Sequence, residues 1–338
     1  MPHHPLTVVI PTRNRRALLA RSVKSVLRQH EVEVYVVVVD DASTDGSSES
    51  IVALRDPRIR VVRNRKQLGV SRARNIGLSN VESPWVAFLD DDDFWAPGKS
   101  KAQLHALLTT QGSAWCCAGA VHLDSHWRVI GGEETPRLRG DALRRAMLTR
   151  NCIPGGGSGV VASTLLAKQI GGFDPQLSMF ADWDFYLRLS EHSALAVADG
   201  PHVAYCLHSG NMSHDMVRNR RDFAYMRIKH EDLRLANSVE FSVRDWLPYA
   251  VPLAIKSRQP RQAVSIIAEA CREGLGPRML RGPVRQTFTP LLRSVGATLL
   301  PDSTASWLRG RRASRNLPTG WLAEANEWLA EYGPPSLA

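Results

Sequence analysis

Cysteine pairs at metal-ligand spacing are missing from this sequence: Cys116, Cys117, Cys152, Cys206 and Cys271 are odd in number and include no C-x-x-C. Neither a zinc site nor a disulfide framework is indicated, and a reducing compartment is the expected setting. Also missing is any apolar run near the roughly 18 residues that a membrane-crossing helix needs. The opening Met1-Pro-His-His-Pro5 leads into an apolar, strand-like segment too short for a signal peptide. A cytoplasmic location is therefore expected. No G-x-x-x-x-G-K-[ST] occurs, which excludes a P-loop, and no G-x-G-x-x-G follows the first strand, which excludes a dinucleotide-binding turn. Phosphate recognition, if the chain performs it, falls to a metal and to basic side chains. Acidic residues are the scarcer charge: 33 against 43 lysines and arginines in 338 residues, a formal net charge of +10. That balance favours polyanionic partners such as phosphorylated small molecules, anionic membrane or nucleic acid. Without a recognised module or an aromatic-basic platform, nucleic acid is not expected among them.

What is present is an alternating pattern. Residues 7–10 form a short apolar strand, residues 17–29 carry Ala17, Leu18, Val23, Val26 and Leu27 at helical spacing, and residues 34–39 are almost pure valine. A helix at 48–54, a strand at 60–62, a helix at 72–79 and a strand at 85–89 continue the β-α-β alternation. Strands this rich in Val, Ile and Leu predict a mainly parallel sheet with helices on both faces. Residues 115–130 read as antiparallel strands and 141–149 as a helix. Pro154-Gly-Gly-Gly-Ser-Gly159 is turn-rich and runs into a strand at 159–162, then a helix ending at Gly171-Gly172. Another helix is expected at 182–192. After about residue 215 the composition shifts to arginine-rich helices at 219–236, 243–256, 261–272 and 284–299. The expected organisation is an α/β domain over 1–214, with halves 1–112 and 113–214, followed by a helical region over 215–338.

Ligands of open α/β sheets bind beyond the carboxyl ends of the strands. Polar residues gather there three times. The first strand ends in Pro11-Thr12-Arg13-Asn14, the second in Asp40-Asp41, and the fourth in Asp90-Asp91-Asp92-Asp93. Four consecutive carboxylates repel one another unless a cation is near, and magnesium or manganese prefers such oxygens while leaving positions for phosphate. A cap or turn role competes: at Asp40-Asp41 the two readings balance, but capping needs one carboxylate rather than four. Asp45 beside Gly46 reads as turn chemistry. Arg72, Arg74 and Asn75 begin a helix that could reach a pyrophosphate, although arginines in such places are usually solvated. Asp182 opens another helix as a general base or as its N-cap, and composition alone favours the cap.

Read together, Val9-Ile-Pro-Thr-Arg-Asn14, Val38-Val-Asp-Asp-Ala-Ser-Thr-Asp45, Ala73-Arg-Asn-Ile-Gly77, Phe88-Leu-Asp-Asp-Asp-Asp93, Gly171-Gly-Phe-Asp174 and Asp182-Trp-Asp-Phe-Tyr-Leu-Arg-Leu189 resemble the family-2 inverting glycosyltransferases, in that family's order. The resemblance covers about residues 5–215. It implies a GT-A fold, a nucleotide-diphosphate sugar donor and Mn2+ or Mg2+ as cofactor. Residue by residue it implies that Pro11, Thr12, Asn14 and Asp41 line the nucleoside pocket, that Arg72 and Asn75 lie near the base or diphosphate, and that Asp91 sits near the ribose or donor sugar. It further implies that Asp90 and Asp92 bind the metal and that Asp182 is the base. Ala181 stands where the family commonly has glutamate, which leaves Asp184 as the alternative base. Tyr205-Cys-Leu-His208 with Asn211-Met-Ser213 resembles the loop that closes over the donor, Cys206 standing where arginine is usual and His208 near the diphosphate or metal.

Arginines at 278, 281, 285, 293, 309, 311, 312 and 315 are interleaved with apolar residues. Such a segment suits an anionic membrane surface and hence peripheral attachment beside a lipid-linked acceptor. Packing on the catalytic domain is the plainer reading. Nucleotidyl transfer on a similar fold would show a glycine-rich loop after the first strand, which Pro11-Thr-Arg-Asn-Arg-Arg16 lacks. A non-catalytic nucleotide-sugar or glycan binder is the remaining alternative.

Overall fold

The structure, a computed structural model, describes residues 4–208, 215–273 and 317–332. Among the described residues nine strands make one mixed sheet: β1 (Leu6–Thr12), β2 (Val34–Asp40), β3 (Ile59–Arg63), β4 (Trp85–Phe88), β5 (Phe94–Trp95), β6 (Ser113–Leu123), β7 (Val129–Glu133), β8 (Val160–Ser163) and β9 (Ala194–Cys206). Their order is β3-β2-β1-β4-β8-β6-β9-β5, with β7 paired to β6. The alternation predicted at the start of the chain is what produces the parallel β3-β2-β1-β4 half. Strands β1 and β2 are buried almost end to end because helices cover both their faces. The antiparallel character expected of 115–130 holds for β6 against β7 and β8, but β6 also pairs with β9 in parallel. That pairing depends on β9, 70 residues further on, and no local pattern encodes it.

Helices α1 (Arg16–Leu27), α2 (Ser47–Val52), α3 (Val70–Ser79), α4 (Lys99–Thr109), α5 (Gly140–Met147), α6 (Thr164–Gln169) and α7 (Ala181–His192) alternate with these strands. The core joins Leu19, Val23 and Val26 of α1 to Val8, Ile10, Val36 and Val38 of the sheet and to Leu104 and Leu107 of α4.

Contacts divide the chain into two units. One comprises residues 1–144, 152–207 and 310–338, the other 145–151 and 208–309. The second contains α8 (Met216–Lys229), α9 (Glu231–Ala236), α10 (Val243–Lys256) and α11 (Pro260–Arg272). The helix expected over 219–236 is broken at His230. Within this unit Phe223 stacks on Trp246 at 4.4 Å. Arg220 pairs with Glu269 at 2.5 Å and Arg227 with Glu273 at 2.9 Å, so part of the arginine content is structural. The basic stretch 278–315 and the helix expected at 284–299 lie outside the described residues.

Residues 317–332, grouped with the arginine-rich region by composition, belong instead to the sheet unit. Their helix α12 (Trp321–Ala330) buries Ala325, Trp328 and Leu329 against Phe94, Val121, Leu123, Ala204 and Cys206.

Candidate active site

Parallel pairing sets the site. Thr12 at the end of β1 lies opposite Asp40 at the end of β2, while Leu89, just past β4, donates its N–H to the Val9 carbonyl at 3.0 Å. Thr12, Asp40-Asp41 and Asp90 to Asp93 thus converge on one carboxyl edge, as the sequence pattern predicts.

The four aspartates point four ways. The Asp90 carboxylate accepts from Arg74 Nη2 at 2.5 Å. Asp91 accepts from the Thr12 hydroxyl at 2.7 Å. Asp92 lies 4.0 Å from Arg15 Nη1. Asp93 turns inward, accepting from the Ser158 hydroxyl at 2.6 Å and from the Cys206 N–H at 2.9 Å. Burial and the neighbouring Asp92 charge push the Asp91 carboxyl up to about 7. The same two causes raise Asp93 well above the usual carboxylate range. The tip is therefore strained electrostatically: its partly buried carboxylates favour protonation, or a cation.

Helix α1 grips this tip along a polar stripe that hydrophobic periodicity does not register. Arg21 donates to the Asp92 carbonyl at 2.8 Å, and the Ser22 hydroxyl lies 2.9 Å from the Asp91 carbonyl and 2.6 Å from that of Asp93. One turn on, the Ser25 hydroxyl accepts from the Trp95 N–H at 3.2 Å, and Gln29 bonds the Ala96 carbonyl and the Ser100 N–H. The available signal was three polar residues, 22, 25 and 29, recurring on the apolar face of an amphipathic helix.

Across from the tip lies the turn Pro154 to Gly159. Gly155 and Gly156 have φ of +73° and +50°, the left-handed region that favours glycine. Gly157 is pressed so close that a Cβ there would overlap the Arg74 guanidinium and approach Asp90. The turn is fastened from behind. Trp95 Nε1 donates to the Ser158 carbonyl at 3.0 Å and Gln103 Nε2 to the Gly159 carbonyl at 2.9 Å. The Ser158 hydroxyl also accepts from the Asp90 N–H at 3.1 Å, joining turn and tip directly. Gly155 donates its N–H to Glu133, whose carboxylate also holds His122 at 3.2 Å.

Asp182 faces this turn from the second position of α7. The N-cap is Phe180, so Asp182 is not the cap that composition favours, although its Oδ1 accepts from the Trp183 N–H at 2.8 Å. Burial pushes its carboxyl up to about 6, and the Arg74 charge restrains the rise. Arg74 is thus shared electrostatically between Asp90 and Asp182. It is buried, it lies 5.0 Å from the Phe173 ring, and its Nε has no partner among the described residues. Sequence reasoning weighed Arg72 and Arg74 alike. Arg72 is exposed and reaches the Leu68 carbonyl just before α3 at 3.5 Å, whereas Arg74 is the arginine at the centre.

Asp184 differs from Asp182. It is fully buried, and its Oδ2 accepts from Arg188 Nε at 3.0 Å and Nη2 at 2.7 Å, Arg188 also holding the carbonyls of Ile170 and Gly172. The pair fastens α7 to the preceding turn.

The remaining residues singled out by sequence are held by the chain itself. Asp40 caps the 43–48 turn through Ser43 and Ser48. Asp41 accepts from the N–H groups of Leu68 and Gly69, both at 2.8 Å, and from Asn64 at 2.9 Å, fixing the approach to α3. Pro11 is buried within β1, and exposed Asn14, at φ 53°, accepts from the Thr44 N–H at 2.8 Å. Asn75 exchanges two bonds with the backbone of Phe173, at 2.7 and 2.8 Å. His208 opens the second stretch of the second unit, and Asn211 and Ser213 lie outside the described residues. Asn75→Ala strands both backbone groups of buried Phe173 and is expected to cost about 2–3 kcal/mol, read as a lower urea midpoint at unchanged m. An unchanged midpoint would show that water replaces the amide freely.

Known proteins resemble this chain in sequence and in fold. The family model described as Glycosyl transferase family 2 matches residues 7–154. WcaA of Escherichia coli K12, a glycosyl transferase named for colanic acid biosynthesis, is 30% identical over 201 residues, covering 56% of this chain and 67% of WcaA. WfaP of Escherichia coli, named a UDP-Glc:alpha-D-GlcNAc-diphosphoundecaprenol beta-1,3-glucosyltransferase, is 31% identical over 31% of this chain, which spans only 41% of WfaP. Among solved structures, S. aureus TarS 1–349 in complex with UDP-GlcNAc matches with a TM-score of 0.52 at 16% identity, covering 87% of this chain and 90% of that one. The mannosyltransferase PcManGT of Pyrobaculum calidifontis, in complex with GDP-Man and Mn2+, matches with a TM-score of 0.50 at 17% identity over 97% and 86% of the two chains. At such identities the structural likeness shows the fold alone.

Proposed function

The chain belongs to glycosyl transferase family 2, a glycosyltransferase with a GT-A fold, and on that premise we propose an inverting, divalent-metal-dependent transfer of sugar from a UDP- or dTDP-sugar to an acceptor hydroxyl. The acceptor class is a glycan, a lipid-linked glycan or a small natural product; the lipid-diphosphate acceptor in the name of WfaP and the basic segment 278–315 both favour the lipid-linked case at an anionic membrane surface. Among the described residues no helix is long and apolar enough to cross a membrane.

One observation carries the reading. A half-buried carboxylate whose proton affinity burial raises, Asp182, is held across a glycine-rich turn from the acidic tip, with Arg74 between them. Inverting transfer needs a positioned general base of this kind. Asp182 takes the proton of the acceptor hydroxyl as its oxygen bonds to the anomeric carbon, while the bond to the leaving diphosphate breaks and its electron pair goes to the diphosphate. Asp184, fully buried and held by Arg188, lacks the access to compete.

The tip fits a divalent cation through its donor chemistry: hard carboxylate oxygens whose mutual repulsion a cation relieves. Among the described residues no cluster of three or more His, Cys, Asp or Glu surrounds one point. Asp92 and Asp90 would hold Mn2+ or Mg2+, and the remaining positions would belong to donor oxygens and water. Bound there, the ion would supply charge stabilisation to the departing diphosphate. Thr12, Asp41, Pro11 and Asn14 form the nucleoside side, with Asp91 next to the ribose or donor sugar. Arg72 is placed to meet phosphate from solvent, and Asn75 acts as a brace.

A thermal-shift panel tests this without knowing the acceptor. UDP with Mn2+ is expected to raise the melting temperature well beyond UDP or Mn2+ alone, because only ligands of the folded state stabilise it. A shift with UDP that is indifferent to Mn2+ would remove the metal from the scheme.

A further inference from the structure

The polar stripe of α1 leads to an element far from the donor edge. The Arg21 guanidinium lies 4.9 Å from the ring centroids of both Phe94 and Trp127, with Nη2 on the Asp92 carbonyl at 2.8 Å and 3.7 Å from Cys206 Sγ. Its Nε is buried with no partner among the described residues. Two aromatic rings and a backbone oxygen therefore hold this cation. Phe94 is itself held by the C-terminal helix: its ring is 5.1 Å from Tyr332 and 6.0 Å from Trp328. Tyr332 donates its hydroxyl to the Trp95 carbonyl at 2.8 Å, and Arg28, just past the end of α1, reaches the Glu331 carbonyl at 3.1 Å.

The groove that receives this segment is built for it. A Cβ at Gly119 would overlap the Trp321 ring, and one at Gly132 would crowd Leu317, so β6 and β7 leave open the space that residues 317–321 fill. A helix of ten residues has little stability alone, so α12 persists through this docking.

We propose that Arg21 is a positioning residue for the acidic tip, and that residues 317–332 are the strap that keeps it there. The strap holds Phe94, Phe94 and Trp127 hold the guanidinium, and the guanidinium fixes the carbonyl of Asp92. Its consequence for donor binding rests on the reading that the tip takes the metal and diphosphate.

Hydrogen exchange of the full-length protein without ligand tests the strap directly. In Arg21→Met, Trp328→Ala and the milder Tyr332→Phe, amides of residues 90–95 are expected to exchange about tenfold or more faster, with β1 and β2 unchanged, because local opening is separable from global unfolding. Arg21→Lys should recover part of the protection. Unchanged exchange at the tip, or a uniform loss across the sheet, would overturn the proposal. As a second arm, UDP affinity is titrated with and without Mn2+. Arg21→Met is expected to weaken the Mn2+-dependent part about tenfold. If the wild type shows no Mn2+-dependent part, the donor reading fails while the exchange result still decides the strap.

Discussion

Replacing Asp182 by asparagine is expected to lower kcat by two to four orders of magnitude, roughly the contribution of a positioned general base, with donor KM nearly unchanged. The amide keeps the size of the carboxyl and its bond from the Trp183 N–H, but cannot accept the proton. Steady-state kinetics with UDP-sugar and acceptor measure it, and a variant within about threefold of wild type would remove Asp182 from the base role. The pH profile gives an independent readout. The carboxyl is shifted from its ordinary 3.8 to about 6 by burial, so kcat/KM should rise with unit slope through about pH 6 as the carboxylate forms. Stability runs the other way. A group whose folded pKa is raised stabilises the fold fully below its unfolded pKa and loses that contribution as pH rises through the folded value. The active ionisation state is therefore the less stable one, and Asp182→Asn should gain relative to wild type above about pH 6.

Arg74→Met should lower stability and shift the pH response of the base, because it leaves Asp90 and Asp182 facing each other without their shared counter-charge. A loss of about 2–3 kcal/mol is expected, below the range for a wholly buried pair since the Asp90 side chain is 25% exposed. Chemical denaturation measures it. Arg74 holds the Asp182 carboxyl down, so its removal should also move the acid limb of kcat/KM above about pH 6. Arg74→Lys should keep part of the charge effect but lose the planar contact with Phe173. If Arg74→Met leaves both the limb and the denaturation midpoint in place, the arginine is an ornament of the α3 helix and the coupling of tip to base is wrong.

Much of the site was legible because local pattern and topology coincide. Apolar β-α-β alternation forces parallel strands, parallel strands share a carboxyl edge, and the polar residues that end each strand must meet there. Thr12, Asp41 and the acidic run follow from that logic alone. Four adjacent aspartates read as one site, yet they divide their work: Asp93 is scaffold, bonded to Ser158 and the Cys206 N–H, because successive residues at a turn cannot all face one point. Arg74 and Arg72 were indistinguishable by residue type. Two positions apart on a helix, they are rotated by more than half a turn, and packing alone determines which is buried.

Sequence by itself determined the mainly parallel half-sheet and the meeting of Thr12, Asp41 and the acidic run at one carboxyl edge, since periodicity and residue chemistry are local properties, whereas Asp182 as base was implied only by the family resemblance. Only the tertiary structure decided that a glycine-rich turn from residues 154–159 lies between the tip and Asp182, that Arg74 balances the two, and that α12 packs back against Phe94 beside the tip. Each of those depends on contacts between segments tens to hundreds of residues apart, where shape and desolvation, rather than any spacing along the chain, choose the partner.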